Sequence, residues 1–503
     1  MSNLTPSTGG IPLGRIRVAF WLLTVTLTGA AIMGLELVAF RLYAPYFGYS
    51  VYVWGSMISV VMLALAGGYA LGGCVADRSH SDVSLYALIM GSAVYQLVII
   101  LFVHSILFAL WQKGEFAGPV MATLIIYAFP MMALAGTAPF VIRMVARESH
   151  VGSVTGMVYA ISTAGGIAGT LLTSFWLLPW LGTMATLRVL CGVCFAVGIL
   201  GLGWRFLVAW LGIPVLLWLF LVPKPAMVEG EVWRADSPYN LLRVVRHENL
   251  IWLVLNDARY FHTIRNLNDV WTGYFHDLFA MGPLLVPGRS LLVLGMGGGG
   301  TIASTRAVAP DIQVDGVEID PKVVEAGVLF FGLKPDNRNL RVHVVDARRW
   351  LQCDPKRYAI VHIDLYYGGP YTPFYVATVE FYRLVREHVN DDGIVVLNLY
   401  DTSKDRELLQ CTVATLRQAF PSVMVVRRED GSNIVLAFPQ ERSVASVRAK
   451  LQAVEGPEQL RRIAQYAAQN VMDVVPPPGT PVFTDDWAPV EEMTRRMLLH
   501  SGS

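Results

Sequence analysis

Charge is scarce in this chain. Of 503 residues only 15% are Asp, Glu, Lys or Arg, while 54% are hydrophobic. That balance is too apolar for an ordinary soluble protein. A basic excess is missing too: the formal net charge is +1, so no nucleic-acid partner is expected. Cysteine is sparse, and five residues cannot make a disulfide framework. Cys191 and Cys194 have C-x-x-C spacing but lie inside an apolar run. A redox pair needs an exposed, activated thiolate, so these two read as helix packing. Clustered metal-ligand spacing is also lacking. His262 and His276 are near in sequence without further ligands, and no metal site is expected.

What is present falls into two parts. Residues 1–222 hold 9 Lys/Arg and 5 Asp/Glu, whereas the remainder holds 30 and 33. The first part is lipid-soluble and the second is a mixed-charge globule. A transmembrane helix needs about 20 mostly apolar residues. Seven candidate spans satisfy this, near 18–41, 51–74, 84–110, 118–142, 154–180, 185–203 and 206–222. Arg15 and Arg17 precede the first, and no small-residue cleavage site ends it, which predicts an uncleaved span rather than a signal peptide. Gly68/Gly72 and Gly165/Gly169 have the small-xxx-small spacing that lets helices approach closely. Glu36 lies within the first span, where an ionisable group is costly. Arg41 follows about one turn later, and pairing of the two or a ligand site are both open. Gly73-x-x-Ala76-Asp77-Arg78 weakly resembles, over six residues, the loop signature of major-facilitator transporters.

Pro223-Lys224-Pro225 breaks the last apolar segment. Alternation over Tyr239 to Val245, Leu250 to Asn256 and Tyr260 to Thr263 predicts a small antiparallel sheet. Trp271 to Leu285 reads as a helix. Strand-like segments follow at 290–295, 313–319, 341–345, 359–364 and 393–399, most of them separated by helical stretches. This pattern predicts a parallel sheet with helices on both faces. The first of these strands runs into Gly295-Met-Gly-Gly-Gly-Gly300, where the backbone can approach a ligand closely and a helix N-terminus favours an anion. Gly295, Gly297 and Gly298 are the expected contacts. Glu318, with Ile319 beside it, ends the second strand, where a carboxylate can accept ribose hydroxyl protons. Asp346, followed by Ala347, ends the third, in place to accept from an adenine amine. Asp364 ends the fourth, at the crevice where such sheets bind ligands. The glycine run alone is a weak signal; together with three acids in register it points to an adenosine site.

These residues resemble the spermidine synthase (aminopropyltransferase) family, in its membrane-fused branch. The supporting text is Asp236-Ser-Pro-Tyr239-Asn, Val293 to Gly300, Val317-Glu-Ile-Asp320, Val345-Asp-Ala, His362-Ile-Asp364-Leu-Tyr-Tyr, Tyr375 to Tyr382 and Thr484 to Glu491. In the apolar half, Gly34 to Arg41 and Ala44 to Gly48 add to it. The resemblance implies transfer of an aminopropyl group from decarboxylated S-adenosylmethionine to an amine, with release of methylthioadenosine. It places ribose at Glu318, adenine at Asp346 and the attacking amine at Asp364. A carboxylate there can take the amine's proton. Tyr239, Tyr274, Tyr366 and Tyr367 are the expected substrate walls, the last two through cation–π contact or simple packing. Two positions depart from the soluble members: Gly299 stands where they carry an aspartate, and Tyr367 where they carry a second acid. Asp485 and Asp486 are expected to compensate if the tail folds over the crevice.

The expected architecture is therefore a multi-pass α-helical membrane domain (1–222), a linker and small β-rich lead-in (223–288), and an α/β Rossmann-like domain of S-adenosylmethionine-methyltransferase type (289–503). Arg15/Arg17, Arg78, Arg143/Arg147 and Arg205 place the N-terminus in the cytoplasm. Seven spans would leave the soluble part outside, away from adenosyl donors. The donor argument places it in the cytoplasm, at the cell membrane, with one segment re-entrant or split. Expected partners are an amine substrate and the lipid bilayer, with a homodimer open. Without an acid at 299, ordinary S-adenosylmethionine is a possible donor, which would make the enzyme a methyltransferase or lyase. A polyamine- or nucleotide-sensing transporter, suggested by Glu36, is the third reading.

Overall fold

The computed structural model describes residues 13–47, 51–79, 81–146, 151–203, 229–256, 260–335 and 338–501. The chain divides into two compact units, Met1–Ala226 and Met227–Ser503, each with its own hydrophobic core.

In the first unit six helices are long and apolar enough to cross a membrane: α1 (Ile16–Phe47), α2 (Val51–Arg78), α3 (Asp82–Leu110), α4 (Phe116–Val145), α5 (Val151–Leu181) and α6 (Thr183–Leu202). The seventh expected span, 206–222, lies outside the described residues. Small residues set the packing. A Cβ on Gly68 would lie 2.3 Å from the Met132 carbonyl oxygen, and one on Gly72 would lie 2.5 Å from Gly136 Cα, so α2 meets α4 backbone to backbone. Gly165 and Gly169 do the same for α5 against Thr26 and Ala30 of α1. In a lipid setting, close approach of this kind would replace the hydrophobic drive that lipid removes. Some buried hydroxyls pair across helices, as Thr28 with Thr137 at 3.0 Å. Helices α4 and α5 each contain a π-helical turn, Leu124–Ala128 and Thr173–Leu177. Cys191 and Cys194 are free thiols buried in this core, as packing residues would be. Glu36 and Arg41 are each half-buried, and no ion pair joins them. Five residues of helix rotate the two by roughly 140°, which corrects the expectation that they share a face.

The second unit opens with a four-stranded antiparallel sheet of β1 (Glu231–Asp236), β2 (Leu241–His247), β3 (Leu250–Leu255) and β4 (Thr263–Asn266). Residues Trp271–Leu285 are not one helix. They form a turn, a 3-10 segment (Phe275–Ala280) and a short helix α7 (Met281–Leu285). The cause is Asp277, whose buried carboxylate accepts the Thr272 and Gly273 amides at 3.0 and 2.7 Å and fixes the turn.

An eight-stranded mixed sheet follows, in the order β12-β10-β11-β9-β8-β5-β6-β7. Its parallel block contains β5 (Ser290–Leu294), β6 (Gln313–Glu318), β7 (Leu340–Val344), β8 (Tyr358–Ile363) and β9 (Val389–Tyr400). These are the five strands read from sequence. All six residues of β8 are buried, as a central parallel strand covered on both faces requires. The antiparallel strands β10 (Ser422–Val426), β11 (Ser432–Phe438) and β12 (Val471–Asp473) extend the sheet beyond that expectation. Helices α8 (Gly300–Val308), α9 (Pro321–Phe330), α10 (Ala347–Cys353), α11 (Val379–Glu387), α12 (Glu407–Leu416), α13 (Val444–Gln452), α14 (Glu458–Asn470) and α15 (Val490–Ser501) complete the unit. Strand order reverses at β5, between β6 and β8. The crevice at the carboxyl ends of such strands is where open α/β sheets bind ligands.

Candidate active site

The turn after β5 passes directly beneath the end of β8. Gly295 has φ +78°, and a Cβ there would lie 2.2 Å from the Asp364 carbonyl oxygen; any side chain would push the two strand ends apart. Gly299 closes the turn at φ +90°, and its Cβ would lie 2.4 Å from Leu333 Cδ2. A side chain at 299, in a left-handed backbone position, would have to displace Leu333. Gly298 donates its amide to Thr263 Oγ1 at 2.8 Å, which ties the turn to β4.

Glu318 sits at the end of β6, beside this turn. Its Oε2 accepts the Gly297 amide at 2.9 Å and its Oε1 the Asp320 amide at 3.1 Å. Burial nevertheless pushes its carboxyl up to about 7. Asp364, just past β8, is likewise pushed up to about 7, by burial first and further by the Glu318 carboxylate, while a hydrogen bond from Asn398 opposes the rise. The Asn398 amide nitrogen donates to Asp364 Oδ1 at 2.9 Å. An acid raised by burial and by a neighbouring carboxylate across a glycine turn, beside a second acid also raised toward neutrality, is a pattern found at functional sites.

Asp346 caps α10 by accepting the Arg349 amide at 3.0 Å, and its other oxygen accepts the Tyr375 hydroxyl at 2.8 Å. Ala347 is the buried first residue of that helix, and Ile319 is half-buried after Glu318. The Tyr366 hydroxyl donates to the Asn398 carbonyl and accepts the Tyr400 amide, both at 3.1 Å, so it braces β9. Burial first, and then the Glu491 carboxylate, push the half-buried Tyr367 hydroxyl up to about 12. Tyr274 is half-buried and meets Phe261 edge to face at 5.1 Å. Tyr239 is 42% exposed, and its amide donates to Ser237 Oγ at 3.1 Å. Asp485 is turned toward Arg348, at 2.8 and 2.6 Å, and Thr378, at 2.7 Å. Arg348 also donates to the Tyr375 carbonyl at 2.8 Å. The tail therefore clamps the wall that carries Tyr375 and Asp346. Asp486 is exposed.

The structure thus gathers the glycine turn, Glu318 and Asp364 around one strand reversal and links Asp346 to Tyr367 through Tyr375. Sequence reasoning missed Asn398, although it is the one polar side chain within Ile394 to Leu399. It also missed the lock between the lead-in sheet and β6. There Asp320 accepts from Ser237 Oγ and, at 3.1 Å, from Asn240 Nδ2, while Asn256 Nδ2 donates to Asn240 Oδ1 at 2.8 Å. His276 packs against the His262 carbonyl at 3.2 Å, and burial lowers it to about 4. Among the described residues no three His, Cys, Asp or Glu side chains gather as a metal site would require.

Residues 274–427 match the family model of the spermine/spermidine synthase domain. A probable polyamine aminopropyl transferase of Bifidobacterium longum is 27% identical over 276 residues, which cover 52% of this chain and 61% of that protein. The polyamine aminopropyltransferase of Vibrio vulnificus is 29% identical over 153 residues, covering 29% of this chain and 50% of that protein. The eEF1A lysine and N-terminal methyltransferase of Mus musculus is 30% identical over 163 residues, covering 30% of this chain and 23% of that protein. The chain thus spans between about half and three fifths of the two aminopropyltransferases and under a quarter of the methyltransferase. A solved structure described as a probable spermidine synthase from Corynebacterium glutamicum aligns at 16% identity with a TM-score of 0.40, over 52% of this chain and 97% of that one. The chain carries a spermine/spermidine synthase domain across residues 274–427, preceded in sequence by six helices long and apolar enough to cross a membrane.

Proposed function

We propose that the protein is a membrane-embedded aminopropyltransferase that moves an aminopropyl group from decarboxylated S-adenosylmethionine to an amine. The observation that carries this reading is the juxtaposition of Glu318 and Asp364 across the Gly295–Gly299 turn, with both carboxyls pushed up to about 7.

Each residue then has a task. Gly295, Gly297 and Gly298 keep the turn tight against Asp364, Thr263 and Phe331, with their amides held by Val317, Glu318 and Thr263, and so shape the edge along which the nucleoside lies. Glu318 retains lone pairs beyond its two amide contacts for the ribose hydroxyls. Asp346 and the Ile319 and Ala347 backbone border the adenine. Asp364 takes a proton from the attacking ammonium. The free amine then forms a C–N bond as the C–S bond breaks, and the sulfonium leaves as a neutral thioether. A base whose carboxyl titrates near the working pH is well matched to that step. Because the sulfonium is already a good leaving group, much of the acceleration comes from holding the amine and the carbon in line. Tyr239, Tyr274, Tyr366 and Tyr367 wall the amine channel, and Asp485 holds the wall rather than the substrate.

The bilayer is the proposed setting and the cytoplasm the proposed side. The salt bridges Arg17–Asp82, at 2.6 Å, and Arg143–Asp77, at 3.2 Å, put the starts of α1 and α3 and the ends of α2 and α4 at one end of the bundle. Arg78 lies at that end too, as a cytoplasmic face requires.

The test is product analysis. Purified full-length protein is incubated with decarboxylated or ordinary S-adenosylmethionine and candidate amines. Methylthioadenosine formed together with an enlarged amine supports this reading. Adenosylhomocysteine would replace it with methyl transfer, the second reading, which is favoured by the side-chain-free position at Gly299 and by the similarity to a lysine methyltransferase. Methylthioadenosine without any acceptor would indicate cleavage.

A further inference from the structure

Ile363 and Leu365, the residues on either side of Asp364, line a small interior gap. It holds about 10 Å³, close to what one water molecule needs. Most of its wall is apolar. Three polar side chains break that wall, Asn398 of β9, Tyr382 of α11 and Thr412 of α12, and each is more than nine-tenths buried. Thr372 also lines the gap, but it is half-buried and engages the Tyr366 hydroxyl. Asn398 Nδ2 donates to Asp364 Oδ1 at 2.9 Å, which leaves Oδ1 on the other side of the amide. That oxygen is buried and has no protein partner. A buried acceptor left without a donor is costly. Turning the amide over gives no relief, because it would set the amide oxygen against the Asp364 carboxylate. The Tyr382 hydroxyl is raised by burial with nothing to lower it. On α12 the Thr415 hydroxyl donates back to the Cys411 carbonyl at 2.7 Å, whereas Thr412 borders the gap.

We infer that one internal water sits in this gap, donates to Asn398 Oδ1 and is held by the Tyr382 and Thr412 hydroxyls. A water has two protons and two lone pairs, so it donates to Oδ1 and to one hydroxyl while it accepts from the other. Tyr382 and Thr412 are then positioning residues. Through the water they fix which way the Asn398 amide faces, and the amide holds the Asp364 carboxylate. This deepens the transfer reading above and rests on it for the role of Asp364 as base.

The test uses Tyr382→Phe, Thr412→Val and Thr412→Ser in the full-length protein. The first two delete a hydroxyl at nearly unchanged size, and the third keeps it. The readout is the pH–rate profile. A hydrogen bond to an ionised group supports a displacement of about one pH unit. The acid limb should move to higher pH by up to that amount in Tyr382→Phe and Thr412→Val, which is up to a tenfold lower rate on the acid side, with the high-pH plateau little changed. Thr412→Ser should recover the wild-type limb. A limb that stays in place in both hydroxyl-deleting variants, with or without a lower plateau, overturns the positioning role. A structure of the wild-type protein that resolves internal waters is determined alongside. Water within hydrogen-bond distance of Asn398 Oδ1 and both hydroxyls is the expected result; an empty gap, or an amide turned over, overturns the assignment. If no amine is alkylated, the transfer reading fails, and the structure still decides whether the water holds Asn398.

Discussion

Asn398 holds Asp364. The amide nitrogen of a strand residue donates to the carboxylate of the residue just beyond the neighbouring strand, at 2.9 Å, while Asn398 Oδ1 is buried and has no protein partner. One donor thereby orients Asp364 and opposes the rise that burial imposes on its carboxyl.

A pH–rate profile reads this contact. Asp364 accepts a proton only when ionised, so the rate should climb as pH rises through about 7. Asn398→Ala removes a contribution that lowers the carboxyl, so the acid limb should move to higher pH, with the plateau rate reduced less than the rate at pH 7. An unchanged acid limb would assign the limb to another group.

Asp364→Asn should remove general-base catalysis and reduce kcat by about 10²–10⁴-fold, with methylthioadenosine affinity retained. The same change should stabilise the fold at alkaline pH. The ordinary aspartate value is 3.8 and the folded value about 7. The native state therefore holds the extra proton between these values, and the favourable contribution is complete below the lower one. It is lost as pH rises through the upper one. Thermal unfolding of wild type and Asp364→Asn should diverge above pH 7, with the variant higher, and converge near pH 4.

Gly299→Asp would restore a side chain at a left-handed position packed against Leu333. The expected cost is about 1–3 kcal/mol, with weaker nucleoside binding because the turn shifts. Melting temperature and methylthioadenosine titration check both effects.

Much of this site was legible because strand, glycine turn and terminal acid lie close in sequence. Glu318 follows the turn by about twenty residues, and β5 to β9 read as apolar runs. The rest depends on contacts between distant segments. Asn398 sits in a strand that looks like plain core, and its role comes from Asp364, 34 residues away. Strands β10 to β12 form because β9 offers an edge to β11, which no local pattern announces. Asp485 takes its role from Arg348, 137 residues away. Glu36 and Arg41 were close in number but not in direction around the helix.

Arg348→Met should loosen the wall bearing Tyr375 and Asp346. The expected outcome is a raised Kd for the adenosyl ligand with an unchanged KM for the amine. The reverse pattern would place Asp485 in the amine channel.

Gly165→Leu and Gly68→Leu should each disrupt assembly of the apolar helices, since a Cβ alone already lies 2.2 and 2.3 Å from a facing carbonyl oxygen. Loss of the monodisperse species in detergent chromatography, with Gly152→Leu unaffected because nothing among the described residues lies within 4 Å of its Cβ, is the expected contrast.

The most direct measurement is a structure of the full-length protein with methylthioadenosine bound. Ribose hydroxyls are expected on Glu318, the nucleoside along Gly295–Gly299, and the thioether sulfur facing the Asp364 carboxylate. A nucleoside bound elsewhere, or bound here with its sulfur turned away from Asp364, would contradict it.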